Sequence, residues 1–130
     1  MGYELGFWLS TMSMGKSIIQ EKSFAFASRI VKAYKFLVGN KEFVMSKQLL
    51  RSGTSIGANV EEALAASSTA DFIHKLNISA KEARETSYWL RLLYDNDYLE
   101  TVLFHSLHDE NTVLIKMLSS IIMTTKANNP

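Results

Sequence analysis

The chain has 130 residues, 47% of them hydrophobic and 21% charged, with one proline and no cysteine. That length suits a single domain able to bury a core without covalent staples, and the missing cysteine excludes a disulfide scaffold, a thiol nucleophile and any thiolate-held metal. The formal net charge is only +1, so no overall field draws the molecule to nucleic acid or membrane, and no apolar run approaches the roughly 18 residues that a membrane span requires.

Residues 1–17 differ from the rest. They carry Gly2, Gly6 and Gly15, with Glu4 the only charge before Lys16. A secretory signal needs a positive start and an unbroken apolar stretch, and this segment has neither. It reads as a flexible leader, and the protein as cytoplasmic. Residues 18–127 read as a helical bundle, with helix from Gln20 to Ala127, because the sole proline is Pro130 and nothing in the interior forbids long helices. Residues 128–130 read as a disordered tail.

The first helix is expected over about 22–38, with Ala27, Ile30, Val31, Tyr34, Leu37 and Val38 at three- and four-residue steps. Gly39 and Asn40 end it, since both tolerate the left-handed backbone common at helix C-termini. The second spans about 43–66, with Leu49, Gly53, Ile56, Val60 and Ala63 on one face. The third starts behind a capping box of Ser68 and Asp71. Its seam steps Phe72, Leu76, Ser79, Ala83, Thr86, Leu90, Leu93, which is bundle spacing. The fourth covers about 99–126, with Leu103, Leu107, Leu114, Met117 and Ile121 inward. Four such helices joined by short loops predict an all-α protein, an antiparallel up-down-up-down four-helix bundle.

Two features of these helices point beyond the fold. Gly53 and Gly57 sit inside helix two, where each costs about 0.5–1 kcal/mol relative to alanine. Helix three offers Ser79, Ala80 and Ala83 in return, so two backbones can approach closely, either within the bundle or with one glycine facing a second subunit. The other feature is surplus apolar surface. Ile78, Trp89 and Leu92 lie well off the helix-three seam at about 100° per residue, and this stripe, extended by Phe26, Phe36 and Phe104, is a candidate oligomer interface.

Catalytic chemistry finds no footing. Glu61, Glu62, Asp71, Glu82 and Glu85 supply carboxylates, but no nucleophile–base pair accompanies them. His105 and His108 are three apart, yet Leu103 and Leu107 take the core face and turn both towards solvent, whereas bundle metal sites use inward ligands. No cofactor, metal or catalytic residue is expected.

Charge is distributed more unevenly than its total suggests. Residues 16–51 hold eight basic groups against two acidic, and residues 52–130 hold six against ten. Arg29, Lys32 and Lys35 follow at three-residue steps and form a ridge on helix one. With Lys22, Lys41 and Lys47 they are the candidate phosphate contacts; the alternative is the solvated face of an amphipathic helix.

Two blocks carry a resemblance. Gln48-Leu-Leu-Arg51-Ser-Gly-Thr-Ser55-Ile56-Gly-Ala-Asn59-Val-Glu-Glu62-Ala63 is the first. Asp71-Phe72-Ile-His-Lys75-Leu76-Asn-Ile78-Ser-Ala80-Lys81-Glu82-Ala-Arg84-Glu85-Thr86-Ser-Tyr88-Trp89-Leu90-Arg91-Leu-Leu is the second. Together they resemble the bacterial four-helix-bundle proteins encoded in intervening sequences of 23S ribosomal RNA genes, over about residues 20–126. The resemblance implies a left-handed bundle that assembles as a homopentamer, and no catalytic residues. It leaves the polar positions Arg51, Ser55, Asn59, Glu62 and Glu85 as either a buried network or interface contacts. A bundle of similar shape, the accessory protein of diversity-generating retroelements, binds nucleic acid and a reverse transcriptase. The expected function is therefore a non-enzymatic oligomeric adaptor for RNA or a nucleoprotein, without membrane contact. The alternative is a purely structural protein–protein oligomer.

Overall fold

A computed structural model describes residues 17–130 of the protein. Of the expected leader over 1–17, all but Ser17 lies outside the described residues. Four helices follow: α1 (Ile18–Gly39), α2 (Met45–Leu64), α3 (Thr69–Asp95) and α4 (Thr101–Ala127). Among the described residues there is no strand. Cross-helix pairs fix the directions. Gly57 faces Ser23 while Gly53 faces Ile30; Ser79 reaches Ile56 while Thr86 reaches Ser52; Asn111 reaches Ala83 while His108 reaches Ser87. Numbers rise on one helix as they fall on the next, so each helix runs against its predecessor. The ring closes where α4 meets α1, and that contact is looser than the other three.

The helix ends follow from local chemistry. Ser17 caps α1 by accepting from the Gln20 N–H at 3.4 Å, and Ser68 caps α3 by accepting from the Asp71 N–H at 3.1 Å, as its capping box predicts. The left-handed residue after α1 is not glycine. Lys41 takes it, at φ 66°, and Asp97 takes the equivalent place after α3 at φ 67°. Both turns have the Schellman pattern: Glu42 N–H reaches the Leu37 carbonyl, and Tyr98 N–H reaches that of Leu93, each at 2.9 Å. The α2 N-terminus is capped from a distance, since Val44 has no capping side chain. Buried Glu42 accepts from the Ser46 N–H at 2.6 Å and the Val44 N–H at 3.3 Å. A carboxylate there satisfies orphan donors and complements the helix dipole.

The core runs the length of the bundle. All seven expected seam residues of α3 are buried, as are the five of α2. Two expectations need correction. Phe26 and Phe104, placed with the surface stripe, are 0% and 8% exposed and belong to the core, whereas Val31, placed inward, is exposed. The buried face of α1 steps Ile19, Ser23, Phe26, Ile30, Ala33, Leu37, and that of α4 steps Phe104, Leu107, Asn111, Leu114, Leu118. This is strict bundle spacing, so Phe26 and Phe104 stand on the seam itself and Val31 lies one residue off it. Phe104 stacks on Tyr94 with ring centroids 4.2 Å apart. Burying a side chain of this size contributes about 1.5–3 kcal/mol, so each such placement matters to the fold.

Candidate nucleic-acid interface

The six candidate cations fall into two groups. Lys22, Lys32, Lys35, Lys41 and Lys47 are exposed. Arg29 is turned to the α1–α4 flank, where Nη1 pairs with Glu110 and Nη2 donates to Ser106 Oγ. The expected ridge is thus interrupted: Arg29 ties two helices together, and its charge is already matched. The reason is helical rotation, because three-residue steps drift across the surface rather than hold one face. Lys32, Lys35, Lys41 and Lys47 gather at the end of the bundle where α1 passes into α2, while Lys22 stands about 15 Å further back along α1. Phe36, Phe43 and Val44 lie exposed at that same end.

A shallow groove of about 460 Å³ lies between α1 and α4, lined by Arg29, Lys32, Ala33, Phe36, Leu103 and Leu107, so that Lys32 alone of these lysines borders it. It lies at the loosest of the four helix contacts. A second groove of about 460 Å³ lies on the α3–α4 side, with Tyr88, Leu92, Tyr94 and Phe104 among its walls and Arg91 and Asp95 beside them.

The polar motif does not form one buried network. Arg51 bridges two carboxylates of α3, Glu82 at 3.1 Å and Glu85, and Glu85 also accepts from the Trp89 indole N–H at 3.0 Å. This cluster is partly open to solvent. Ser55 and Asn59 bond back to their own helix, at the carbonyls of Arg51 and Ser55, and Glu62 is exposed. The buried polar contacts are others. Ser79 Oγ donates to the Ile56 carbonyl at 2.8 Å, the Ser52 and Thr86 hydroxyls lie 3.0 Å apart, and Asn111 Nδ2 donates to the Ala83 carbonyl at 2.8 Å. Ser79, Ala83 and Thr86 stand on the α3 seam, so their burial was visible from spacing, but their partners were not.

The glycines correct another expectation. Within the chain both are buried, and the element nearest to each is α1 rather than α3. Both receive α1: a Cβ on Gly53 would meet Ile30, and one on Gly57 would meet the Ser23 backbone. Ile78, Trp89 and Leu92 are half-buried rather than free, with Trp89 against the core. The open apolar side chains are elsewhere, with Phe24, Val44, Val102 and Met123 each more than 70% exposed. His108 Nε2 lies 2.8 Å from Ser87 Oγ, and His105 is exposed. Among the described residues, no cluster of three or more metal-binding side chains occurs, and no helix is long and apolar enough to cross a membrane.

Residues 15–120 match the family described as 23S rRNA-intervening sequence protein. The chain is also similar to a crystal structure from Bacteroides thetaiotaomicron VPI-5482, described as a protein with unknown function from the S23 ribosomal protein family. The two share 57% identity over 81% of this chain and 98% of that one, with a TM-score of 0.80. Comparison with curated proteins finds no match.

Proposed function

The chain belongs to the 23S rRNA-intervening sequence protein family, and on that premise we propose that it acts as a non-enzymatic homo-oligomer that binds RNA through the end of the bundle where α1 passes into α2. The observation that carries this reading is the state of the cations there. Lys32, Lys35, Lys41 and Lys47 are exposed, and among the described residues none of them pairs with a carboxylate, while Arg29 and Arg51 both do. Unmatched, clustered lysines hold a counterion atmosphere that a phosphate backbone can displace, which makes binding sequence-tolerant and salt-dependent. An oligomer would repeat the cluster and raise avidity without any new contact. The exposed Phe24, Val44, Val102 and Met123 support self-association, and the family resemblance suggests five subunits.

The test is a fluorescence-anisotropy titration of labelled RNA at two salt concentrations, with particle mass read by light scattering. Joint replacement of Lys32, Lys35 and Lys41 by glutamine should weaken binding and flatten the salt dependence at unchanged mass. The same treatment of Lys75, Lys81 and Arg91, on the acidic part of the chain, should do much less. Absence of binding at low salt, with an oligomeric mass retained, would favour the second reading, a purely structural oligomer, for which the exposed apolar side chains speak. A monomeric mass would overturn the oligomer in both.

A further inference from the structure

The groove between α1 and α4 has a composition that phosphate contacts alone do not explain. Its floor is apolar, made by Ala33, Leu103 and Leu107, and Phe36 forms one wall. Phe36 is 51% exposed, an uneconomical position for a phenylalanine in a helix whose core face is already filled. Lys32 stands one turn before it on the same flank and is exposed. Arg29, on the rim, is held by Glu110 and Ser106, so among the described residues Lys32 is the lining cation without a carboxylate partner and can meet an anion entering here.

We infer that this groove receives an unpaired nucleobase of single-stranded RNA, stacked on Phe36, with the adjoining phosphate on Lys32. The inference rests on the RNA-binding reading above and narrows it to one form of RNA. Charge complementarity selects the occupant: a nucleotide brings a planar apolar face and an anion together, in the arrangement that Phe36 and Lys32 offer side by side. Single strands are bound elsewhere by this combination of basic groove and exposed aromatic rings. A duplex offers only its sugar–phosphate surface and shallow groove edges, because its bases are stacked inside. It would therefore use the lysines and leave Phe36 idle.

The experiment compares a labelled single-stranded oligouridylate with a labelled RNA duplex of equal length, by anisotropy, on the wild-type chain and on Phe36→Ala, Phe36→Trp and Lys32→Gln. Phe36→Ala should weaken single-strand binding roughly five- to a hundred-fold and leave duplex binding unchanged. Phe36→Trp should restore single-strand binding, with its indole emission quenched as the base stacks. Lys32→Gln should weaken both RNAs. Because Phe36 is half-exposed, circular dichroism of the alanine variant should match the wild type. If Phe36→Ala alters neither RNA while Lys32→Gln weakens both, RNA binding stands and the base site is overturned. If the wild type binds no RNA at low salt, the broader reading fails and takes this one with it. If Phe36→Ala instead lowers the particle mass, the groove holds a second copy of the chain and the base site is likewise overturned.

Discussion

Ile30 occupies the space that a side chain at position 53 would need: a Cβ on Gly53 would lie 2.9 Å from both γ carbons of Ile30. Ile30 is fully buried and β-branched, and in a helix such a side chain has one strongly preferred rotamer. It cannot swing aside. Gly53→Ala should therefore destabilise the protein by about 1–3 kcal/mol, the usual cost of overpacking, despite the better helix propensity of alanine. In an Ile30→Ala background the γ carbons are gone and only the Cβ of residue 30 remains, at 3.3 Å, so the same change should cost at least about 1 kcal/mol less than in the wild type. Urea unfolding of the four variants at one protein concentration checks the coupling.

Gly57 meets the backbone of Ser23 as well as its hydroxyl, which lies 3.4 Å from the Cβ position. Its Cβ would stand 3.3 Å from the Ser23 carbonyl oxygen, so relief requires moving α1 itself. Gly57→Leu should cost several times as much as Gly57→Ala, at least about 2 kcal/mol more. A rise in melting temperature for the leucine variant would show that α1 does not pack here.

Lys41 and Asp97 hold left-handed backbone without being glycine. Such a conformation costs an ordinary residue roughly 1–2 kcal/mol, and less for aspartate, which tolerates it. Lys41→Gly should raise stability by about 1 kcal/mol, and Asp97→Gly by less. Thermal unfolding of both, with Lys41→Gln and Asp97→Asn as controls that remove the charge and keep a side chain at the same backbone position, separates backbone relief from lost charge.

Asn111 is fully buried. Its Nδ2 donates to the Ala83 carbonyl, but its Oδ1 has no hydrogen-bond partner among the described residues. An unsatisfied buried acceptor costs about 1–3 kcal/mol, so Asn111→Leu, which keeps the branching at Cγ and removes the polar atoms, should raise the melting temperature where α3 and α4 can accommodate its larger methyl groups. A lower one would mean that those methyl groups do not fit or that a water or a partner group satisfies Oδ1.

Much of the fold was legible because its signals are local. The α3 seam, the capping by Ser68 and Asp71, and the four-helix count depend on residues a few positions apart, and spacing exposes them. The candidate site was half legible. The surplus of lysine in the first half of the chain is visible in composition, but the diversion of Arg29 to Glu110 joins residues 81 positions apart. The groove lined by Phe36 and Leu103 joins two helices at opposite ends of the sequence in the same way. Glu42 left a faint signal, an acid just before a helix that lacks a capping residue of its own.

The sequence by itself determined that this chain forms four helices, where each begins and ends within a few residues, and which stripe of α2 and α3 turns inward. Hydrogen bonding and apolar periodicity within one helix are enough for that. Only the tertiary structure decided that Gly53 and Gly57 admit α1, which register of α1 and α4 faces the core, so that Phe26 and Phe104 are buried while Phe36 is not, and that Lys32, beside an open groove, pairs with no carboxylate among the described residues. Those outcomes depend on how the helices rotate about their own axes to satisfy packing on both flanks at once, a constraint that no single helix carries in its own pattern.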